Sequence, residues 1–302
     1  MAESSFDRAA FAGRLTTRGL GRRLIAEPQL TSTNDRAWEM LSAGEPDGLV
    51  VVADAQTRGR GRAGRVWHTA PGKGLALSLL LVREPAPRLL GVLPLACGLA
   101  LYRGLAGLGV ASRLRWPNDV LLGGRKVAGI LAESRGVSAA GRASGIAVVI
   151  GLGVNVSQTE RDFPPELRDG RRGLTWQATS LALEGHRLTR EEVAAEFLNA
   201  LEPLWLELVE RGPERVIEAW RQSASFWGER VRVRSGAAHV TGVARGLDPE
   251  GRLVLDLEGG GRWAAVAGDL DPDHPDPVRG EPEREPEDGD PPPARAEETS
   301  RP

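Results

Sequence analysis

The sequence has very little cysteine, with Cys97 as the only one among 302 residues. A single thiol excludes an intramolecular disulfide framework, and its position inside an apolar stretch fits a reducing compartment. The N-terminus MAESSFDRAAFAG carries acidic residues early and has no continuous apolar core, unlike a secretory signal. These absences predict a cytoplasmic protein.

The chain also lacks an excess of charge of either sign, since 39 basic and 41 acidic residues leave a formal net charge of −2. Attraction to nucleic acid or to an anionic membrane is therefore not a property of the whole chain, and any anion binding must come from local clusters of arginine. Its most apolar run, residues 89–110, is interrupted by Pro94, Arg103 and several glycines. This pattern predicts a buried helix instead of a membrane span.

Changes in composition divide the chain into four segments. Residues 1–24 are a short lead-in, too small for a DNA-binding helix-turn-helix domain. Residues 25–224 alternate glycine-bounded apolar strands with helical stretches and end in two helices broken at Gly212-Pro213, which predicts an α+β body. Residues 225–270 contain short strands typical of a small β-barrel. Residues 271–302 are dominated by proline and charge, which predicts a disordered tail.

The loop from Gly59 to Arg65 reads GRGRAGR and contains the spacing GxGxxG after a strand. A dinucleotide-binding fingerprint needs a helix to begin within the motif, whereas arginines interleave these glycines and no helical periodicity follows. Guanidinium groups form bidentate bonds to phosphate or carboxylate, and glycine permits close backbone approach. The loop is therefore a candidate mobile clamp for an anionic ligand, with a solvated basic loop or a nucleic-acid contact as the alternatives.

A second candidate is the polar run Ser32-Thr33-Asn34-Asp35, which precedes a short amphipathic helix that ends at Gly44. These residue types favour an N-cap. Small polar side chains beside free helical N–H groups also suit the polar head group of a ligand. Helix capping alone explains the run and is the favoured interpretation, with a ligand site as the alternative.

The segment RWPNDVLLGGRKVAGIL predicts a hairpin with Gly123-Gly124 at its turn. Strict alternation places Lys126 on the same face as Ala128 and Ile130, where a lysine is costly to bury unless it meets an anion or reaches water. Asn118 and Asp119 are residue types favoured in turns.

A very apolar strand ends GLGVN, with Asn155 among small residues where a ligand can approach.

Taken together and in this order, the blocks STN, QTRGRGRAGRVW, RWPNDVLL followed by KVAGIL, GLGVNV and ATSL resemble the biotin protein ligase family. Each block alone is weak, but the ordered set is specific and spans residues 24–270. The resemblance implies a class II synthetase-like mixed β-sheet in the catalytic domain and an SH3-like C-terminal β-barrel. It also implies ligation of biotin, with ATP, to one lysine of a biotin carboxyl carrier protein or domain, through biotinyl-5′-adenylate.

The same resemblance assigns roles to individual positions. It implies a biotin site, an ATP or adenylate site and three catalytic residues. The biotin positions are Ser32, Thr33, Asn34, Gln56, Arg60, Gly61, Arg62, Lys126 and Gly129. Those around ATP or the adenylate are Arg65, Trp67, Asn118 and Asn155, and the catalytic residues are Arg62, Lys126 and Asp119. Mg²⁺ is expected with ATP, and no metal site is expected in the protein itself.

These residue types suit the chemistry, because a carboxylate that attacks an α-phosphate must overcome repulsion between two anions. If the resemblance holds, Arg62 and Lys126 would offset that repulsion and stabilise the charge that develops in the transition states. A lid that orders only when ligand binds keeps water from the reactive mixed anhydride. In the second step the acceptor lysine must lose a proton to attack, and Asp119 is a candidate acceptor.

The sequence departs from the family pattern at two positions: Arg115 stands where lysine is common, and Ala63 where some members have arginine. The expected partners are the carrier protein and no DNA, because the lead-in is too short for the DNA-binding domain of bifunctional members. No membrane is expected, and an exposed sheet edge permits a homodimer. The rival interpretations are a lipoate or octanoate transferase of the same fold and a non-enzymatic RNA- or DNA-binding module.

Overall fold

The structure is a computed structural model that describes residues 3–83, 90–137, 145–169, 177–235 and 238–272. The helices are α1 (Arg8–Arg14), α2 (Thr33–Ser42), α3 (Leu93–Gly107), α4 (Pro165–Asp169), α5 (Arg190–Arg211) and α6 (Glu214–Ser223). The strands of the first sheet are β1 (Leu24–Leu30), β2 (Val50–Gln56), β3 (Gly74–Arg83), β4 (Arg113–Arg115), β5 (Asp119–Leu122), β6 (Arg125–Val137) and β7 (Gly145–Asn155). Those of the second are β8 (Arg230–Ser235), β9 (Ala238–Leu247), β10 (Leu253–Asp256), β11 (Arg262–Ala265) and β12 (Asp269–Pro272).

The seven-stranded sheet is mixed, with the strand order β1-β2-β3-β7-β6-β5-β4. Strands β1 and β2 run parallel, and every other neighbouring pair is antiparallel. Strands β1 and β4 form the two edges of this sheet. The mixed sheet with its helices confirms the expected fold class of the catalytic domain.

Alternation along the central strands gives the sheet two buried faces, each of which packs against helices. On β3, Leu77 and Leu79 face the main core, in which α3, α5 and α6 bury their apolar sides. Leu80 faces the opposite way, into a smaller cluster with Trp38 of α2 and Val149 of β7. Since side chains on a strand alternate between faces, Ser78 lies on the α2 side of the sheet.

Local sequence signals set the ends of the two long C-terminal helices. Thr189 and Glu192 form a capping box that begins α5, and Gly212 has a positive φ of 89° directly after its end. Pro213 precedes the first residue of α6. The predicted pair of helices, broken at Gly212-Pro213, is therefore present.

The lead-in is a packed part of the catalytic domain. Helix α1 begins after Asp7, whose side chain accepts hydrogen bonds from the N–H groups of Ala9 and Ala10. Phe11 of α1 is buried in the main core, and Glu202 of α5 accepts backbone N–H bonds from residues 18–20. Sequence reasoning assigned no structure to this segment, because a seven-residue helix with one large apolar residue has little periodicity to detect.

The C-terminal sheet has the order β11-β10-β9-β8-β12 and is antiparallel throughout, as expected for an SH3-like barrel. Asp271 and Pro272, which the sequence assigned to the tail, form the end of β12 instead, and Asp271 pairs with Arg234 of β8 at 2.8 Å. The remainder of the predicted tail, 273–302, lies outside the described residues. No helix among the described residues is both long and apolar enough to cross a membrane.

Candidate active site

A cavity of about 300 Å³ lies on the α2 side of the sheet, between the GRGRAGR loop and the barrel. All fourteen site residues expected from the sequence line it. They are Ser32, Thr33, Asn34, Gln56, Arg60, Gly61, Arg62, Arg65, Trp67, Asn118, Asp119, Lys126, Gly129 and Asn155. The structure therefore brings together blocks that lie more than a hundred residues apart in the chain.

Glycines on β6 and β7 leave room for the cavity above the sheet. Gly129 is paired with Gly153, and Gly151 is paired with Leu131. The Trp67 indole lies so close to Gly153 that an added Cβ would overlap its ring, and a Cβ on Gly129 would lie 3.4 Å from the same indole. A Cβ on Gly151 would lie 2.5 Å from Oδ1 of Asn34. These glycines therefore let Trp67 and Asn34 rest directly on the sheet.

One end of the cavity is a buried polar network at the start of α2. The Thr33 N–H donates to Oε1 of Gln56 at 2.9 Å, and Ser78 Oγ lies 2.8 Å from Thr33 Oγ1. Ser78 also donates to Oδ1 of Asn34 at 2.5 Å. The side chain of Ser32 makes no capping hydrogen bond. Ser32 does occupy the predicted N-cap position of α2, but the predicted side-chain cap is absent, and the side chains of Thr33 and Asn34 bond to other elements.

The GRGRAGR loop forms a narrow lid whose ends are held by backbone bonds. The N–H of Gly61 donates to O of Arg65 at 2.7 Å, and that of Trp67 donates to O of Gly59 at 3.0 Å. A single 3₁₀ turn covers Arg62–Gly64, and Ala63 has φ 52° within it. No α-helix begins in the motif, so the geometry excludes a dinucleotide-binding turn. We call residues 59–65 the lid.

The three arginines of the lid that line the cavity point to three different places. Arg60 pairs with Asp35 of α2 at 2.6 Å and with Glu133 of β6 at 3.1 Å. Arg65 pairs with Asp269 of the barrel at 2.5 Å, where both side chains are partly exposed.

Arg62 extends towards the interior, and its Nη1 donates to Oδ1 of Asn118 at 2.6 Å. Its side chain is partly buried, and this burial lowers the pKa of Arg62, against the opposing charge of Asp119. The cation that reaches deepest from the lid is therefore Arg62.

Lys126 lies at the end of the β5–β6 hairpin and points into the cavity. Its Nζ is 2.6 Å from Oδ1 of Asp119, and its terminal atoms lie 3.3 Å from a Cβ built on Gly129. A register shift between Val120 and Leu121 breaks the alternation of the hairpin. The prediction that Lys126 shares a face with Ala128 and Ile130 is therefore wrong, because the bulge turns the lysine to the side of Gly129.

The two asparagines of the site are held by protein groups. Asn118 lies in the turn between β4 and β5, where its Nδ2 donates to O of Ile130 at 2.7 Å and its Oδ1 accepts from Arg62. Asn155 donates to O of Thr179 at 2.8 Å and accepts from Gln158 at 3.1 Å. These bonds fix the orientation of both amides at the cavity wall.

A second cation lies behind Lys126. Burial lowers the pKa of Arg115 to about 9, against the opposing charges of Asp119 and Asp271, so the side chain stays protonated at neutral pH. Its guanidinium is 3.7 Å from Asp271 of β12. The charge of Asp119 thus acts on three basic side chains, those of Lys126, Arg62 and Arg115.

Sequence reasoning missed several residues of the site. Ser78 and Glu133 bond to Asn34 from two strands, yet both lie outside the motifs that we identified. Ser78 is a single polar residue within the apolar part of β3, and Glu133 begins the polar end of β6. Period two along β3 was the one signal that placed Ser78 on the α2 side. The barrel residues Gly268, Asp269 and Leu270 also line the cavity, as do Phe163, Glu166 and Ala178. Their contribution depends on how the two sheets meet, which no local pattern encodes.

Among the residues that the structure describes, no group of three or more His, Cys, Asp or Glu side chains is arranged to hold a metal ion. The charged groups of the cavity are mainly cations and ion-paired carboxylates. Such a site suits an anionic ligand, and a divalent cation would enter it together with phosphate groups.

Comparisons with known proteins agree with this geometry. The biotin/lipoate A/B protein ligase family model matches residues 26–155, and the biotin protein ligase C-terminal domain model matches residues 226–276. A solved structure of a biotin protein ligase from Aquifex aeolicus, in complex with biotin and ATP, superposes with a TM-score of 0.67 at 29% identity. This match covers 82% of the present chain and 97% of the other. The fold and the site define a ligase of the biotin/lipoate class.

Two curated relatives narrow the class. A biotin–[acetyl-CoA-carboxylase] ligase from Mycobacterium tuberculosis is 35% identical over 274 residues, which cover 87% of this chain and 94% of the relative. The bifunctional ligase/repressor BirA of Bacillus subtilis is 34% identical over 248 residues, or 82% of this chain and 73% of that one. The chain belongs to the biotin protein ligase family.

Proposed function

We propose that this protein activates biotin with ATP, forming biotinyl-5′-AMP and pyrophosphate, and then transfers the biotinyl group to one lysine of a biotin carboxyl carrier protein or domain. The observation that carries the proposal is a single cavity with a polar network at one end and Arg62 with Lys126 at the other. In the first step a carboxylate oxygen attacks the α-phosphorus and pyrophosphate leaves. In the second, the lysine amine attacks the acyl carbon and AMP leaves.

The polar network suits the ureido ring of biotin, which has two N–H donors and one carbonyl acceptor. Ser32, Thr33, Asn34 and Gln56 offer hydroxyl and amide groups, and buried polar groups of a ligand need such partners. Lys126 and Arg62 lie towards the carboxylate end, with Gly129 leaving space beside the lysine. Arg60 and Gly61 close the cavity over this ligand as part of the lid.

The cations at the other end reduce the repulsion between the carboxylate and the phosphates. Fixed positive groups in a site that excludes water stabilise developing negative charge without reorganisation. Mg²⁺ bound to the phosphates of ATP would add to that charge neutralisation. Arg65, Trp67, Asn118 and Asn155 line the part of the cavity that we assign to ATP and the adenylate, with Trp67 covering the ligand.

Gly153→Ala tests the assignment of Trp67. The added methyl would overlap the indole, and overpacking of this kind costs about 1–3 kcal/mol, so the ring is expected to shift from the sheet. We expect the KM for ATP to rise about tenfold or more, with a smaller change for biotin. Steady-state kinetics with each substrate varied measures both. Gly136→Ala on β6 is the matched control, since a Cβ there meets no atom within 4 Å; equal effects of the two variants contradict the assignment.

Asp119 is proposed to accept the proton of the acceptor lysine in the second step. Its carboxylate lines the cavity and lies 2.6 Å from Nζ of Lys126. The same carboxylate therefore also orients Lys126. In Asp119→Asn we expect transfer from preformed adenylate to slow by about 10²-fold, the usual contribution of general-base catalysis. Single-turnover transfer to a carrier domain measures the rate. Transfer by the variant at the wild-type rate eliminates the role as a base.

Biotin-stimulated exchange between ATP and labelled pyrophosphate tests the function as a whole. Exchange requires reversible adenylate formation, so it is expected with biotin and absent with lipoate or octanoate. Exchange that responds to lipoate instead would indicate a lipoate-activating enzyme of the same fold. No exchange with any acid would contradict the proposal and leave the two alternatives, a transferase of a preformed acyl group and a binding module. The C-terminal barrel and the arginine lid favour biotin over lipoate or octanoate as the substrate.

The proposal includes the absence of repressor activity. A relative that matches over 94% of its own length, the enzyme from Mycobacterium tuberculosis, is named as a ligase alone, which supports this part of the proposal. A gel shift with the promoter of the organism's own biotin operon is expected to show no complex, and a specific complex that biotin strengthens would contradict this part of the proposal.

The lone, buried Cys97 supports a cytoplasmic location.

A further inference from the structure

Glu133 lies outside every motif that identified the site, yet its carboxylate joins three elements. It lies on β6 and accepts hydrogen bonds from two residues of α2, Nδ2 of Asn34 at 2.8 Å and Nε1 of Trp38 at 3.4 Å. Both of its oxygens also lie 3.1 Å from Nη2 of Arg60 in the lid. One carboxylate therefore contacts the sheet, the first turns of α2 and the lid.

The contact with Asn34 determines which way its amide faces. Oδ1 of Asn34 accepts from Ser78, so the bond from Nδ2 to the Glu133 carboxylate satisfies the opposite end of the same amide. An ionised carboxylate can only accept hydrogen bonds. It therefore excludes the flipped amide, in which Oδ1 of Asn34 would face the Glu133 oxygens and leave two acceptors opposite each other. Glu133 thus fixes a side chain that we assign to the biotin head group.

The contact with Arg60 fastens the lid to the same place. The guanidinium divides its donors between Glu133 and Asp35, and Asp35 follows Asn34 in the first turn of α2. The lid is therefore anchored next to the residues that would hold the biotin ring. Arg62, two residues further along the lid, would be placed over the carboxylate end by that anchor.

We propose that Glu133 is a positioning residue that couples closure of the lid to formation of the biotin head-group site. This inference rests on the proposed function. When biotin orders Asn34, the Glu133 carboxylate is held where it receives Arg60, and a closed lid in turn holds Asn34 in place. Neither effect requires Glu133 to touch biotin, and Glu133 does not line the cavity.

The melting temperature distinguishes this role from a purely structural one, in which the pair between Arg60 and Glu133 would mainly stabilise the fold. The side chains of Arg60 and Glu133 are 39% and 31% exposed, and pairs with that exposure contribute little to folding stability. Loss of the charge at position 133 should therefore leave the melting temperature nearly unchanged. It should instead weaken the coupling between ligand and lid, which binding experiments detect.

The test is Glu133→Gln, which keeps the size of the side chain and one acceptor for Asn34 but removes the charge that holds Arg60. We expect the KM for biotin in pyrophosphate exchange to rise about tenfold, a typical coupling between sites, with kcat at saturating biotin within about threefold of wild type. Trypsin, which cuts after arginine, reports on the lid. Biotin should protect the lid from cleavage in the wild-type protein and much less in the variant.

Glu39→Gln is the matched control. Like Glu133, Glu39 pairs with an arginine, in this case Arg36 of α2 at 2.9 Å, and it does not line the cavity. It should retain both the wild-type KM and the protection. Arg60→Met also loses the pair with Asp35, so it should raise the KM for biotin at least as much as Glu133→Gln does. The double variant should add little to Arg60→Met, since that change already removes the pair between Arg60 and Glu133.

An unchanged KM for biotin together with full tryptic protection in Glu133→Gln overturns the inference. So does a parallel fall in melting temperature and kcat, which would make the role structural. Failure of the proposed function is a separate result, recognised by the absence of biotin-stimulated exchange in the wild-type protein and in Glu39→Gln.

Discussion

Lys126→Met is expected to reduce the rate of adenylate formation by about 10²–10³-fold, the effect of removing one preorganised charged donor from an active site. Methionine preserves the length and the apolar part of the side chain, so the change removes mainly the charge. Nζ of Lys126 lies 2.6 Å from Asp119 and faces the cavity, where we place the carboxylate of biotin and the α-phosphate. Without it, the repulsion between these anions would be offset less, mainly by Arg62.

The chain itself provides the control. It contains only one other lysine, Lys73, which pairs with Asp162 at 2.7 Å and does not line the cavity. Lys73→Met removes the same charge from the protein and should leave biotin-dependent pyrophosphate exchange within about twofold of wild type, since exposed pairs contribute little. Exchange by Lys126→Met at a rate near that of Lys73→Met would reject the electrostatic account of the first step.

The folded state of Lys126→Met should persist. Asp119 loses its nearest cation, but the charges of Arg62 and Arg115 still act on it. We therefore expect a cooperative melting transition at a temperature close to that of the wild-type protein. This measurement separates loss of catalysis from loss of structure.

The polar motifs of the site could be recognised in the sequence because the residue types within each motif favour the same kind of contact with a ligand. Arginines between glycines predicted an anion-binding loop, and the loop does line the cavity with its guanidiniums anchored or buried. The order of the blocks along the chain then identified the family. Residue types and spacing were sufficient because the site is built from strand ends and turns close to those motifs.

The orientation of Lys126 was not predictable, because a β-bulge depends on how two strands pair and not on the residues of one strand. Strict alternation placed the lysine with Ala128 and Ile130, whereas the register shift next to Leu121 turns it towards Gly129. One extra residue in a strand reverses every subsequent assignment of face. The consequence is favourable for the proposed chemistry, since it brings the lysine into the cavity.

The contribution of the barrel was equally inaccessible to sequence reasoning. Its pattern of short strands predicted an antiparallel domain but gave no information on which edge meets the catalytic domain. In the structure Gly268 and Asp269 border the cavity, and Asp269 holds Arg65 of the lid. The barrel is therefore part of the site wall. Its last strand, β12, continues through Pro272 and so runs past the tail boundary predicted at residue 271.

The lid offers the last of the large expected effects. In Arg62→Met the guanidinium bond to Asn118 is lost, together with the approach of Nη1 to O of Gly268 in the barrel at 3.5 Å. The centre of the lid then contacts neither Asn118 of the catalytic domain nor Gly268 of the barrel, although Arg60 and Arg65 still anchor its flanks. We expect adenylate formation to slow by about 10²-fold and the adenylate that does form to leave the site before transfer.

Escape of the adenylate is measurable because a free mixed anhydride acylates exposed amines. The assay offers the enzyme a carrier domain and an unrelated lysine-rich protein and compares the biotin that each acquires. In the wild-type protein the carrier should dominate, whereas Arg62→Met should shift the ratio towards the unrelated protein by about tenfold or more, since an open lid no longer encloses the intermediate. Labelling of the enzyme itself contributes little, since the chain has only two lysines.

Arg58→Met is the matched control, because Arg58 lies directly before the lid but does not line the cavity. It removes an arginine from the same segment and should change neither the rate nor the ratio. If Arg62→Met forms adenylate more slowly but keeps the wild-type labelling ratio, then Arg62 acts only on the chemical step and the lid closes without it. A changed ratio at an unchanged rate of formation would assign to Arg62 retention of the intermediate alone, leaving Lys126 to offset the repulsion between the carboxylate and the α-phosphate.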